Sequence, residues 1–215
     1  ACDLIDRRRR DLGLTSVRPW DLQAPRGGEV PLRPFTTAEA LIAGCTEVFT
    51  AVDRHFGAAF HDLAARGLLD LMSRPGKAPG GYQANLEASG LPFIFVNAVG
   101  RHEDVLTLLH EGGHAFHALA CAADPLIWNR SPPMEFCEVA SMAMELMGSA
   151  HLDAFYPPDD LRRAVEHQLE QAVLFLPYVA CVDAFQHWLY THPDAARDPD
   201  ARDQTWLALH RRFFP

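Results

Sequence analysis

The segment Leu109-His110-Glu111-Gly112-Gly113-His114 constrains this 215-residue chain more than any other stretch. It reads H-E-x-x-H. Residues four apart share one face of an α-helix, so His110 and His114 can present two imidazoles to one metal ion. Glu111 follows the first imidazole directly, where its carboxylate can serve as general base toward an attacking water. With 11 histidines in the chain, a chance match somewhere has odds of roughly 3% by composition, so the surroundings have to support the pattern. They do: residues 105–109 before the motif and Ala115-Phe116 after it make this helix apolar on most faces. A largely buried helix cannot carry His110, Glu111, His114 and His117 without partners, because unpaired buried polar groups are costly.

The rest of the chain reads mainly as helix with a small β-sheet, in a single partial catalytic domain over residues 1–215. Residues 1–13 end a helix closed by Gly13. The Pro- and Gly-rich residues 17–35 predict an extended connector. Residues 36–67 are helical, opened by the capping-box pattern Thr36 to Glu39. Residues 68–100 carry the sheet, with 92–97 as its clearest strand and 82–85 as a brief one. Residues 101–151 hold the metal-site helices. Of these, 103–121 carries the motif, and a second starts at Ser131-Pro132-Pro133, with the serine as cap. Residues 158–215 form C-terminal helices, kinked or restarted at Pro177 and interrupted by a polar loop over 194–203.

Charge and cysteine usage exclude several function classes. The net charge of −9 gives a nucleic-acid role no electrostatic support. Arg7, Arg8, Arg9 and Arg10, the one basic block, read as the solvated face of a helix. Five cysteines (Cys2, Cys45, Cys121, Cys137, Cys181) are odd in number and form no C-x-x-C, which predicts reduced thiols and a cytoplasmic setting. No signal peptide or membrane span is expected, because the apolar run 172–182 is short and carries Pro177. The chain starts inside a charged, helix-like segment and stops just after Phe213-Phe214, so a fragment of a larger protein is expected.

Two imidazoles do not complete a zinc site, which needs a third protein ligand and one position left for water or substrate. His117 lies seven residues from His110, about 10 Å along the helix axis, too far to share the ion. It reads as a supporting or core histidine. The metzincin pattern would require Gly at 117 and His at 120, where this chain has His117 and Ala120. A di-iron bundle would require a second E-x-x-H. A gluzincin arrangement remains, with a glutamate from a following helix as third ligand. Glu138 and Glu145 sit on such a helix among Met and Ala, and both need a positive partner. Asp104 is either a carboxylate that orients a ligating imidazole or a first-turn residue favoured by the helix dipole. Gly112 and Gly113 each cost about 1 kcal/mol in mid-helix relative to Ala, a cost explained if another backbone approaches closely. Strand 92–97, with Phe93, Phe95 and Asn97, is either plain core or the candidate edge for an extended peptide, with Tyr82 as a further contact.

Together, His110-Glu111-x-Gly113-His114-x-x-His117 and Phe136-x-Glu138-x-x-Ser141-x-x-x-Glu145 resemble the thimet oligopeptidase / oligoendopeptidase F family of zinc peptidases. Trp20-Asp21-Leu22, Arg74-Pro75-Gly76-Lys77, Gly80-Gly81-Tyr82 and the stretch from Pro92 to Asn97 resemble its oligoendopeptidase F branch. The resemblance implies a zincin-like, largely helical fold, an oligopeptide substrate and one Zn²⁺ per chain. It implies His110, His114 and Glu138 as ligands, Glu111 as base, and Glu145 as a supporting carboxylate. Gly112 departs from the family pattern, where a bulky apolar residue is usual, and looser packing is expected there. The family's N-terminal helical region and its C-terminal tyrosine and histidine donors have no counterpart here. His187, Tyr190 and His192 read as a helix face and its cap, and the missing segments of the same enzyme would complete the channel. Three functions follow: a metalloendopeptidase of oligopeptides, a related zinc carboxypeptidase, or a zinc-binding but catalytically silent truncated module.

Overall fold

The computed structural model describes residues 1–24 and 29–214. Where the sequence reading treats the chain as one partial domain, two compact units emerge. One comprises residues 31–165 and the other residues 1–30 with 166–215. The fold is mainly helical with one three-stranded sheet, the class expected.

In the unit 31–165, helix α2 (Ala38–Val52) is capped by Thr37, whose side chain accepts from the Ala40 amide. The cap is therefore one residue later than the expected Thr36. Helix α3 (Arg54–Ala65) follows a cap by Asp53. Leu41, Cys45, Val48 and Phe49 of α2 and Phe60 and Leu63 of α3 are buried at helical spacing and enter the core.

Strands β1 (Leu69–Met72), β2 (Tyr82–Leu86) and β3 (Leu91–Ala98) pair in the order β1-β3-β2. β3 is parallel to β1 and antiparallel to β2. The strict alternation of β3 buries Pro92, Ile94, Val96 and Ala98 on one face. A proline normally marks an edge strand, because it cannot donate to a ladder. Pro92 escapes that rule through register: β1 begins pairing only at Leu69 opposite Ile94, beyond the position where the missing N–H would matter. β3 is thus central, and its two edges are both taken.

Helix α4 (His102–Cys121) buries Val105, Leu108, Leu109, Ala115 and Phe116. The next helix starts later than expected. Pro133 holds Pro132 out of the α region, a 3₁₀ turn spans Met134–Phe136, and α5 (Val139–Gly148) begins with Glu138 at its N-cap. Ser131 is not the cap.

In the other unit, α1 (Cys2–Asp11) places Arg8 inward rather than in solvent. Its Nε donates to the Asp21 carbonyl at 2.9 Å, and Nη1 stands 3.9 Å from Glu170. A 3₁₀ turn, Pro19–Gln23, occupies part of the expected connector, whose residues 25–28 lie outside the described set. Helix α6 (Pro158–Thr191) runs through Pro177 without a break and contributes to both residue ranges. By length and composition alone it is long and apolar enough to cross a membrane. Helix α7 (Pro199–Phe213) starts inside the expected loop, capped by Asp198 with proline at its first position.

Candidate metal centre

α4 presents His110 and His114 one turn apart, with their Nε2 atoms 3.2 Å from each other. Glu138 Oε2 lies 3.0 Å from His110 Nε2 and 3.3 Å from His114 Nε2. The fit to zinc can be judged from these separations. Donors about 2.0–2.2 Å from a tetrahedral ion stand roughly 3.3 Å apart, so three mutual spacings of this size describe one face of such a tetrahedron. Two nitrogens and one carboxylate oxygen are also the donor set of the glutamate-type site, and this is the metal-capable cluster among the described residues.

The third donor reaches this point through helix packing. A Cβ on Gly113 would lie 2.6 Å from both the Ala140 carbonyl oxygen and Ser141 Cα, so only glycine lets the start of α5 rest on α4. That is the close backbone approach the sequence reading requires. The neighbouring Gly112 serves differently. The Phe49 ring, fully buried, fills the space where a Gly112 side chain would stand, with its Cζ 2.4 Å from the Cβ position. Phe49 also packs edge-on against Phe60 and Phe116, each with ring centroids 4.9 Å away. The looser packing expected at Gly112 does not occur.

Two hydrogen bonds aim the donors. Glu145 Oε1 lies 2.6 Å from His110 Nδ1. A carboxylate can only accept, so Nδ1 carries the proton and Nε2 of the neutral ring offers its lone pair to the cluster. Buried Ser141 donates toward Glu138 Oε2 at 2.8 Å. The Glu145 bond raises the His110 pKa above the ordinary imidazole value, against burial. Burial lowers that of His114, with Glu138 opposing.

Glu111 is 7% exposed. Burial lifts its carboxyl above the ordinary glutamate value, His110 opposes this, and Glu138 adds to it. The Gln83 backbone N–H faces the carboxylate and weakly opposes the rise. That orientation follows from strand register. Pairs Tyr82–Phe95, Ala84–Phe93 and Leu86–Leu91 alternate with Gln83–Ile94 and Asn85–Pro92. The Ile94 amide donates to Leu68 on the β1 side, so Gln83 and Asn85 turn their backbone groups away from β3. β2, rather than β3, therefore offers the free edge beside Glu111.

A cleft of about 420 Å³ runs along this edge, lined by the metal cluster and by Tyr82, Gln83, Asn85, His117, Arg130 and Cys137 among others. Tyr82 and His117 therefore stand in the cleft. The remaining substrate candidates do not. Phe95 stacks beneath Tyr82, with centroids 5.0 Å apart. Asn97 holds the preceding loop through the Ala78 and Gly80 carbonyls, and Phe93 pairs with Ala84 inside the sheet. Asp104 accepts the Val99 and Arg101 amides at 2.8 Å, which places it as the first-turn carboxylate and not beside His110. His187, Tyr190 and His192 belong to helix α6 or its end, in the other unit. Gln83, Asn85, Arg130 and Cys137 were missed; for the first two the available signal was the brief strand 82–85, and Arg130 carries none beyond lying between the two ligand-bearing segments.

A helix bearing H-E-x-x-H, a following helix bearing glutamate, and a small sheet with its free edge beside Glu111 make a zincin-like site. The chain belongs to peptidase family M3, whose family model matches residues 3–215. Among solved structures, it superposes on one described as PZ peptidase A with inhibitor 2, with TM-score 0.87 and 31% identity, covering 100% of this chain and 37% of that one. A Bacillus anthracis str. Ames protein assigned as oligoendopeptidase F gives TM-score 0.84 and 29% identity, covering 98% of this chain and 38% of that one. The chain thus spans under two-fifths of the length of either. No curated protein sequence gives a significant match.

Proposed function

We propose that this chain carries the zinc-dependent centre of an endopeptidase acting on oligopeptides, with one Zn²⁺ held by His110, His114 and Glu138. The observation that carries the reading is the convergence of those three donors within one zinc-sized triangle beside a buried Glu111. Zinc bound there would supply Lewis-acid polarisation of the scissile carbonyl and acidify the attacking water. Glu111 takes the proton of that water and passes it to the leaving amine. Its burial holds the carboxylate in place for both transfers. Glu145 and Ser141 keep the imidazole and carboxylate ligands aimed. The free β2 edge, with the Gln83 carbonyl and both Asn85 backbone groups turned outward, suits an extended peptide added as a fourth strand.

The same reading includes a cytoplasmic setting, supported by five free cysteines, and further polypeptide of the same enzyme completing the channel. That polypeptide would cover exposed apolar side chains such as Trp128, Met134, Phe136 and Leu176. Zinc content, measured on wild type beside His114→Ala and Glu138→Ala, tests the ligand set: one zinc per wild-type chain, weakened or lost in both variants. Glu111→Gln should keep the zinc and abolish cleavage of a peptide blocked at both ends. Full turnover by that variant would remove Glu111 from its role, and cleavage confined to peptides with a free C-terminus would favour a carboxypeptidase. The chain's span of under two-fifths of the length of its structural neighbours supports a second reading, a zinc-binding but silent module. Turnover above the Glu111→Gln control excludes it.

A further inference from the structure

We propose that Arg130 forms an anion subsite at one end of the cleft and reads a carboxylate of the bound peptide; this rests on the peptidase reading above. Arg130 is the one Lys or Arg side chain among the described residues lining the cleft. The carboxylates there, Glu111 and Glu138, are already committed to the metal centre. With Asn85 and Ala118, Arg130 also lines a small recess adjoining the turn between β2 and β3.

The guanidinium is oriented but poorly satisfied. Its Nε donates to the Asp124 carbonyl at 2.9 Å, which fixes the plane of the group. Nη1 stands 3.7 Å from Glu87 Oε2, beyond hydrogen-bonding distance, and that glutamate is about half exposed. A pair of this kind is worth little as a structural latch. Yet the Arg130 side chain is only 21% exposed, and a guanidinium has five N–H donors. A peptide carboxylate can take the fork in two parallel bonds, releasing Glu87 to solvent.

Position along the cleft narrows which carboxylate. Ala118 is four residues beyond His114, about 6 Å along α4 at the usual helical rise. An extended peptide advances about 3.3 Å per residue, so the subsite falls about two residues from the scissile bond. Two sources share the chemistry: an acidic side chain at that position, or the terminal carboxylate of a peptide ending there.

The test uses the zinc-loaded Glu111→Gln chain, which holds peptide without turnover. Four matched fluorescent hexapeptides carry Glu or Gln two residues from the scissile position, each with a free or amidated C-terminus, and dissociation constants are read by anisotropy. One carboxylate should tighten binding about tenfold. Arg130→Gln should erase that gain, Arg130→Lys should keep only part of it, and Glu87→Gln should enlarge it by removing the competitor. Which pair of peptides shows the gain identifies the source. Equal binding of acidic and neutral peptides, or a gain that survives Arg130→Gln, overturns the proposal. Zinc-dependent binding of the uncharged peptide upholds the peptidase reading in either case, whereas no binding of any of the four sinks both.

Discussion

Helices α4 and α5 supply the two halves of the candidate metal centre on opposite terms. α4 is 20 residues long and buries nine of them, Glu111 and both motif glycines included. α5 has 10 residues and buries three, leaving Val139, Met142, Leu146 and Met147 exposed. The α4 imidazoles inherit their spacing from helical geometry alone. Glu138 stands outside α5, at its N-cap, with no capping bond of its own. It is positioned by Ser141 and by backbone contact at Gly113. The strength of this site is therefore set by how α5 docks, more than by the stability of α4.

The pair of glycines offers the sharpest way to break that comparison. In Gly113→Ala the new methyl meets backbone, which cannot rotate away, so α5 must lift and carry Glu138 with it. Overpacking of this kind costs about 1–3 kcal/mol. Zinc affinity should fall on the order of 100-fold, since most of that cost is borne by the bound geometry. Gly112→Ala meets the Phe49 ring instead. It should lower the melting temperature while leaving zinc stoichiometry at one. Competitive chelator titration with parallel thermal melts checks both. If Gly113→Ala held zinc as tightly as wild type, the docking account would be lost.

A smaller effect is expected at Glu145, which belongs to α5 but acts on an α4 ligand. Glu145→Gln keeps an acceptor for His110 Nδ1 and removes the charge. Replacing such a partner typically weakens metal binding 10–100-fold, and retention of the acceptor places this variant near tenfold. Glu145→Ala should lose more. Equal losses for both would mean that charge alone matters, and the geometry of the 2.6 Å bond does not.

What could be read in advance follows the same division. His110, Glu111 and His114 are legible because their relation is local, set by a period of 3.6 residues. Glu138 is legible as one of two carboxylates on the following helix, and resemblance alone chooses it over Glu145; its N-cap position is not legible, because two prolines delay the helix by several residues. The sheet is legible as segments and not as an order. Pro92 argues for an edge, and nothing within 91–98 reveals that β1 starts pairing beyond it. The cleft wall formed by Gln83, Asn85 and Arg130 depends on that order, so it stayed out of sight. Asp104 shows the converse. Both of its readings are local, and only the two amides it accepts decide between them.

The smallest effect tests a region remote from both helices. Asp70 on β1 accepts from Arg74 at 2.6 and 2.9 Å and from Lys77 at 3.1 Å. Lys77, with its side chain 1% exposed, also bonds the Met72 and Val96 carbonyls and lies over the Phe95 ring at 4.4 Å. Together with Asn97 it secures the loop 73–81 that delivers β2 to the cleft. The Arg74 bonds, aided by Lys77 and opposed by burial, depress the Asp70 carboxyl to about 2. Because the folded value is lowered, the stability it contributes is fully present above the unfolded value of about 3.9 and is lost as pH falls through the folded one. The pair is partly solvated, so the amount is on the order of 1 kcal/mol. Asp70→Asn should lower the urea midpoint at pH 5 and flatten its decline between pH 4 and 2, while zinc affinity at neutral pH stays close to wild type. An unchanged acid slope would show that Asp70 is not the group being titrated. A large loss of zinc at neutral pH would mean that the β1 side of the sheet, and not only the α4–α5 contact, controls the site.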